Sequence, residues 1–274
     1  MKRIRAVWTL WGKSNSRQAI LSWGKYLITV GLIGWLLVYN SLHLGYKWQW
    51  HRVGRYLLQS TESGVELGLL LQGVIITLKI SVISLFLSSS IGLMTALLKL
   101  SGSIVGRLLA NIYIECIRNT PLLVQLLFFY FVIAPIIDIS AFWSAVIALS
   151  MFEGAYASEI IRGGILAIPK GRWEAAQSMG MSILGSYRHV VLPQAMRLMM
   201  PPLVGQAISL IKDSALVSVI AIYDLTMQGQ AIVSETFLTF EIWFVVALLY
   251  LSLTLSLSYL ARFWEIRLNR HNAR

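Results

Sequence analysis

Residues 242–261 read IWFVVALLYLSLTLSLSYLA, a run of 20 residues without a charged side chain. About 20 apolar residues in a helix span a hydrocarbon core of roughly 30 Å. Five further apolar stretches precede this one, at residues 26–42, 72–98, 121–137, 140–161 and 198–223. The sequence therefore predicts an all-α, polytopic integral membrane protein with about six transmembrane helices.

The composition also indicates a membrane protein. Of the 274 residues, 57% are hydrophobic and only 13% are charged, whereas a soluble chain carries about 25% charged residues. The net charge is +11, but a nucleic-acid-binding domain of this length is far richer in charge, so we expect contact with membrane lipid and no nucleic-acid partner. The single cysteine, Cys116, excludes an intramolecular disulfide, and we expect it to be buried. The four histidines are scattered, so no metal site is predicted.

The distribution of lysine and arginine predicts the orientation, because positively charged flanks stay in the cytoplasm. If the N-terminus is inside, four cytoplasmic segments hold six, three, five and four basic residues: residues 1–25, 99–118, 159–197 and 262–274. The outer segments hold four in total: residues 43–71, 135–140 and 212–241. Both ends of the chain are therefore predicted to be cytoplasmic (N-in/C-in).

The longest predicted cytoplasmic loop contains residues 168–193, which read IPKGRWEAAQSMGMSILGSYRHVVLP. Gly180 suits the left-handed position after a helix, and Ser182 suits the N-cap of the next helix. We expect Pro193 to limit that second helix. The loop is therefore predicted to form two short helices at an angle, the first narrowed by its two alanines so that it fits a cleft.

The spacing of residues in this loop resembles the EAA signature of the permease subunits of bacterial ABC importers. The matching residues are Glu174-Ala175-Ala176, Gly180 after three residues, Val190 after nine more, and Leu192-Pro193. Val190 departs mildly from the signature, which usually has isoleucine there. Residues 115–125 (ECIRNTPLLVQ), 154–165 (GAYASEIIRGGI) and 212–216 (KDSAL) resemble the polar amino acid permeases of the His/Glu/Gln/Arg/opine type. The resemblance covers about residues 70–267.

This resemblance implies a domain organisation and a set of partners. It implies a five-helix type I ABC importer core at residues 66–267, with a basic tail, an extra helix and an extracytoplasmic segment at residues 1–65 and a cytoplasmic tail at residues 268–274. It implies a permease in the bacterial cytoplasmic (inner) membrane that moves polar amino acids by alternating access. The implied partners are two ATP-binding subunits, an extracytoplasmic amino-acid-binding protein and a second permease subunit, either a copy or a paralogue. No cofactor is implied.

The resemblance assigns coupling to the ATPase to six residues of the loop: Glu174, Ala175, Ala176, Gly180, Leu192 and Pro193. The alternative is that the loop is only a well-capped connector. We do not expect the chain to be an enzyme. Its nearest approach to a phosphate-binding loop is Gly12-Lys13-Ser14, with Val7 where that motif requires glycine.

Polar residues within the apolar stretches are candidates for the substrate path, because ionisable groups at membrane depth are costly. Glu153 is the first candidate, with Gln125 as a polar neighbour; an interhelical hydrogen bond is the alternative for Glu153. Glu159 and Arg162 are further candidates, but they are three residues apart on one helix face, which favours a structural ion pair.

A different class of function is an ATPase-independent secondary transporter or channel for small polar solutes. Such a protein needs ionisable coupling sites in its spans and usually has inverted repeats, and the sequence contains no visible internal repeat. The adjacent charges of Lys212 and Asp213 near the outer end of the fifth span fit either a gate or a neutralised break in the helix.

Overall fold

The computed structural model describes residues 16–43, 45–61 and 64–270. The chain divides into two units between Gln49 and Trp50. The first unit contains helix α1 (Ser16–His43), which includes the predicted span at residues 26–42. The stretch Gly12-Lys13-Ser14 lies outside the described residues.

The second unit begins with a 3-10 turn (Trp50–Arg52), helix α2 (Gly54–Leu57) and an antiparallel hairpin of β1 (Leu58–Thr61) and β2 (Gly64–Leu67), in which Leu58 pairs with Leu67. The helices that follow are α3 (Leu69–Leu100), α4 (Ile104–Arg118), α5 (Leu122–Phe128), α6 (Ala134–Ile137), α7 (Ala141–Leu166), α8 (Lys170–Ser178), α9 (Ile183–Ser186), α10 (Leu192–Asp213), α11 (Leu225–Thr236) and α12 (Thr239–Arg270). Single π-helical segments, Phe129–Ile133 and Tyr187–Val191, join α5 to α6 and α9 to α10, and a 3-10 helix (Ser214–Ile220) follows α10.

Five helical segments among the described residues are long and apolar enough to cross a membrane, or six if one bent pair counts as a single span. This confirms the all-α, polytopic prediction. The predicted span at residues 121–137 needs a correction, because Leu122–Ile137 reaches the required length only together with Ile104–Arg118, across a bend of 105°. The α-helix of the fifth span ends at Asp213 and a 3-10 helix follows directly, so the Lys212–Asp213 pair stands where the type of helix changes.

Helix α4 was not predicted, because its charged residues interrupt the apolar pattern. It is amphipathic, and the positions that it buries are Gly106, Ala110, Ile114 and Ile117. Cys116 lies on a different face and is exposed, so the expectation that it is buried was wrong. After α4, Asn119 Nδ2 donates to the Glu115 carbonyl oxygen at 2.8 Å and Thr120 Oγ1 donates to that of Cys116 at 2.8 Å. These bonds satisfy carbonyl groups that the end of a helix leaves open.

Helices α3 and α7 form the centre of the second unit, because small residues let their backbones approach closely. The buried small residues of α3 follow a spacing of three or four: Gly73 and Thr77, which lie against Leu225 at the start of α11, and then Ser81, Ser84, Ser88, Gly92 and Thr95. A Cβ atom added at Gly92 would lie 2.8 Å from the Cβ of Ala157, and one added at Gly154 would lie 2.9 Å from Ile91 Cγ2. Such close contact is typical of helix pairs in membranes.

Three apolar clusters of buried residues join the other helices to this centre, and the largest packs α5 and the end of α10 against the middle of α3 and the first half of α7. A second cluster packs the C-terminal parts of α3 and α7 against the start of α10: Ala96, Ile161, Ile165, Ile168, Val191, Ala195 and Met199. The third packs the N-terminal end of α3 against α11 and α12: Leu70, Leu225, Ile232, Leu238, Ile242 and Val246. The start of α10 and the α11–α12 pair are therefore fixed to α3 at opposite ends of that helix.

Candidate functional site

A small cavity lies between the middle parts of α3, α7 and α10. Its volume is about 70 Å³, and it is lined by Leu85, Ser88, Ser89, Glu153, Ala157, Leu203, Gln206 and Leu210. Since these residues come from the central turns of three long helices, the cavity lies near the midplane of the predicted bilayer. That depth is where the substrate sites of transporters are commonly found.

Glu153 is the one ionisable side chain among the described residues that line this cavity, and it is only 1% exposed. Gln206 Nε2 on α10 donates a hydrogen bond to Glu153 Oε2 on α7. The second oxygen, Oε1, is buried and has no hydrogen-bond partner among the described residues. The carboxyl group of Asp213, also on α10, interacts electrostatically with Glu153. Glu153 therefore makes an interhelical hydrogen bond and also lines a cavity.

The structure does not bring Gln125 to this cavity. Its side chain is 6% exposed, and its Nε2 atom donates to the carbonyl oxygens of Ile117 at 2.7 Å and Thr120 at 2.8 Å. Both acceptors belong to the sharp bend between α4 and α5. Gln125 therefore supports that bend and is not a neighbour of Glu153 in the substrate-path candidate site.

Glu159 and Arg162 form the ion pair that their spacing predicts, with 2.7 Å between Arg162 Nη2 and Glu159 Oε2. Lys99 at the end of α3 joins them, with its Nζ atom 2.7 Å from Glu159 Oε1. Sequence reasoning missed this third member because Lys99 is 60 residues away. The three charges link α3 to α7 close to the C-terminal ends of both helices, which favours a structural role.

The loop after α7 contains the turn that its sequence predicts. Gly180 has a φ of +76°, and its N–H group donates to the Gln177 carbonyl oxygen at 2.9 Å. The N–H group of Met181 donates to the Ala176 carbonyl oxygen at 3.2 Å, which completes a Schellman motif at the end of α8. Ser182 Oγ accepts from the Gly185 N–H group at 3.1 Å and caps α9.

Pro193 does not limit the second helix, and that prediction was wrong. Helix α9, the π-helical segment and α10 follow one another without a break in an apolar segment, Ile183–Ile220. Pro193 lies in the first turn of α10, where the missing N–H group costs little. The Leu192 N–H group reaches back five residues to the Tyr187 carbonyl oxygen, and this wider turn accommodates the proline ring. The second helix of the loop, α9, is therefore continuous with the helix that forms the fifth span.

Packing inside the loop holds α8 against this span. Ala176 is only 1% exposed, and the rings of Trp173 and Tyr187 meet edge to face with 4.7 Å between their centroids. Ala175 is exposed. Of the two alanines expected to face a cleft, only Ala175 is therefore accessible, while Ala176 contributes to the packing under α8.

The outward side of the loop carries large apolar side chains. Met179, Ile183 and Leu184 are 73%, 71% and 78% exposed, and Glu174 is exposed on the neighbouring helix. We call these four residues the loop surface. An exposed apolar group of this kind, in a loop that the charge distribution predicts to be cytoplasmic, is typical of a protein interaction site.

Comparisons with known proteins agree with this architecture. Residues 88–270 match the family described as "Binding-protein-dependent transport system inner membrane component". The glutamine transport system permease protein GlnP of Escherichia coli (strain K12) is 41% identical over 203 residues, which cover 73% of this chain and 93% of that protein.

Solved structures include similar chains. One, described as "Crystal structure of an amino acid ABC transporter with histidines", matches with a TM-score of 0.68 and 41% identity, covering 73% of this chain and 94% of that chain. A chain of the MetNI methionine ABC transporter in an inward-facing conformation has the same fold, with a TM-score of 0.62 at 20% identity; the match covers 73% of this chain and 96% of that chain.

The fold, the loop and these matches define a class of protein, the membrane-spanning subunits of ABC importers. This chain belongs to the family of binding-protein-dependent transport system inner membrane components. It is a multi-pass permease subunit of the inner membrane, and the resemblance to the polar amino acid permeases is confirmed. Helix α1 lies outside the residues that match the family.

Sequence reasoning did not assign Gln206 or Asp213 to the site. A signal was available, because the two polar residues are seven positions apart in an apolar stretch. That spacing places both side chains on one face of a helix, two turns apart. The structure turns this face toward Glu153.

Proposed function

We propose that this chain forms part of the translocation pathway of an importer for polar amino acids. Separate ATPase subunits drive it by docking on residues 168–193, and ATP is hydrolysed in those subunits, not in this chain. The observation that supports this proposal is the exposure of the loop surface, which presents three large apolar side chains and Glu174 for contact with a partner. The fixed Gly180 turn and the packing of Trp173 on Tyr187 present it as a rigid body, as an element that transmits force must be.

The loop is connected to the cavity by two routes. Helix α8 follows α7 after a short turn, and its Trp173 packs on Tyr187 just before α10. Helices α7 and α10 carry Glu153 and Gln206, respectively. Movement of the docked loop therefore shifts two walls of the cavity, as alternating access between outward and inward opening requires.

The chemistry of the cavity supports a substrate that carries a positive charge, since a buried carboxylate needs a cationic or hydrogen-bond-donating partner. Every amino acid has an ammonium group that meets this need. The similarity to a glutamine permease and to an amino acid ABC transporter supports the same substrate class. A second permease subunit, either a copy or a paralogue, completes the pathway, and an extracytoplasmic binding protein delivers the amino acid.

Reconstitution tests this proposal. The permease, its ATPase subunits and the cognate binding protein are placed in proteoliposomes, and the rate of ATP hydrolysis is measured with each of the twenty amino acids in turn. We expect one or a few polar amino acids to raise the rate and to accumulate inside the vesicles. Glu153→Gln should lower their uptake at least about tenfold, whereas Glu235→Gln, at an exposed position in α11, should not. If no amino acid raises ATP hydrolysis or is taken up, the proposal is wrong.

A further inference from the structure

The cavity contains a polar atom that the chain itself leaves unsatisfied. Glu153 Oε1 is buried and lacks a hydrogen-bond partner among the described residues, although Oε2 of the same carboxyl group is bound by Gln206. Nearly all buried polar atoms in proteins are hydrogen-bonded, and leaving one unpaired costs about 1–3 kcal/mol. The carboxyl group of Asp213 lies within hydrogen-bonding reach of Glu153, so Oε1 is satisfied either by a proton that the two carboxyl groups share or by a donor that a ligand brings to the cavity.

From this asymmetry we propose that Gln206 is a positioning residue that determines specificity at this site. Its amide group holds one oxygen of Glu153 and thereby directs the other toward the cavity, where it accepts a hydrogen bond from the ammonium group of the amino acid. This inference rests on the proposed function, since it concerns the same site.

The surroundings of Glu153 favour an ammonium group over a carboxylate. The carboxyl group of Asp213 acts on Glu153 from the same helix as Gln206, so a second acidic group lies beside the one that lines the cavity. The hydroxyl groups of Ser88 and Ser89 already donate to the Leu85 carbonyl oxygen, at 3.0 Å and 2.7 Å. Their hydrogens are therefore not available for a substrate carboxylate.

The size of the cavity indicates which part of the substrate it receives. Its volume of about 70 Å³ is roughly half that of the 150 Å³ core cavity that accommodates benzene in an engineered protein. An ammonium group and its first carbon fit such a space. The rest of an amino acid must lie outside it or must wait until α10 moves away from α7.

Helix α10 is built to permit such a movement near Gln206. Pro201 and Pro202 lie inside the helix, just before Gln206, and neither has an N–H group for the helical ladder. Gly205 has open space where a Cβ atom would be. Bending at these residues would break or restore the hydrogen bond between Gln206 and Glu153, so that the site holds its substrate only in part of the transport cycle.

Binding to the permease–ATPase complex, without the binding protein, tests the role of Gln206. The probes are tritiated L-glutamine and L-arginine, with the methyl ester and the N-acetyl derivative of each as competitors. The ester keeps the ammonium group and the N-acetyl derivative loses it, so we expect the ester to compete at least about tenfold better in the wild type. In Gln206→Leu, affinity should fall about tenfold, and the preference for the ester over the N-acetyl derivative should fall with it.

Two further variants keep this test decisive. Gln206→Asn retains an amide that is one methylene too short to reach Glu153, and it should show the same loss of preference even if the leucine variant folds poorly. Gln194→Leu is the matched control on the same helix, because Gln194 Nε2 donates to the Val190 carbonyl oxygen and the side chain is not at the cavity. It should bind as the wild type does.

The possible results separate this inference from the proposed function. Wild-type affinity and wild-type preference in both Gln206 variants would overturn the role of Gln206, while loss of binding in Glu153→Gln would leave the site itself in place. If the wild type binds neither probe, this inference fails, and the proteoliposome experiment decides the proposed function independently.

Discussion

Gly180 decides how the loop surface is presented. Its φ of +76° is a conformation that side chains with a Cβ rarely adopt. No atom lies within 4 Å of the position that a Cβ would take, so the constraint comes from the backbone and not from crowding. The two hydrogen bonds of the Schellman motif hold the turn, and the direction of α9 relative to α8 depends on it.

Replacing Gly180 should therefore disturb coupling without removing the fold. In Gly180→Val we expect about 1–2 kcal/mol of backbone strain, continued ATP hydrolysis and uptake reduced at least about fivefold. Gly180→Asn should be intermediate, because asparagine tolerates the left-handed region. Gly171→Ala in α8, where a Cβ meets nothing within 4 Å, should keep the wild-type ratio of uptake to hydrolysis. Tightly coupled transport in Gly180→Val would refute the assigned role of the turn.

At the scale of the elements, α3 and α7 act as one packed pair. Small residues such as Ser84, Gly92 and Gly154 bring their backbones together. The ion group of Lys99, Glu159 and Arg162 links the pair near the C-terminal ends of both helices. Helix α10 also lies close to α7 near Gly164 and Ala195, but it contains two prolines just before Gln206. We therefore expect α10 to bend at its prolines relative to the α3–α7 pair more easily than α3 and α7 move apart.

A substitution in this packed pair should lower stability. Gly92→Val places a branched side chain where even a Cβ would lie 2.8 Å from the Cβ of Ala157, and such overpacking costs about 1–3 kcal/mol. Gly163→Ala in α7 is the control, because its Cβ meets nothing within 4 Å and alanine favours a helix by up to about 1 kcal/mol. Thermal unfolding of the purified complex should rank Gly163→Ala at or above the wild type and Gly92→Val below it. The reverse order would contradict this description of the pair.

Local signals in the sequence predicted the elements that depend on short-range chemistry. The apolar stretches predicted the spans, and Gly180 and Ser182 predicted their turn and cap. The prediction that Pro193 limits the second helix was wrong, because the wider π-helical turn before it leaves room for the proline ring and the helix continues. Helix α4 was missed because it is amphipathic and joins its span only across a sharp bend. The cluster of Glu153, Gln206 and Asp213 depends on how α10 packs against α7, which no local pattern specifies.

At the scale of the whole molecule, α7 and α10 connect the loop surface to the cavity. The loop surface lies at one end of α7 and α10, and the cavity lies between their middle parts. The distribution of lysine and arginine predicts that the loop is on the cytoplasmic side, where ATP is available. An ATPase subunit that binds the loop is therefore positioned to move α7 and α10, two walls of the cavity, without entering the membrane.

The most direct test of this central claim is copurification from the native membrane in a mild detergent. We expect the tagged chain to retain a stoichiometric ATPase subunit. Leu184→Arg, which places a charge on the loop surface, should reduce the retained ATPase at least about fivefold without changing the melting temperature of the permease. If the chain purifies without an ATPase and still transports amino acids in liposomes, the proposed coupling of this permease to an ATPase subunit is wrong.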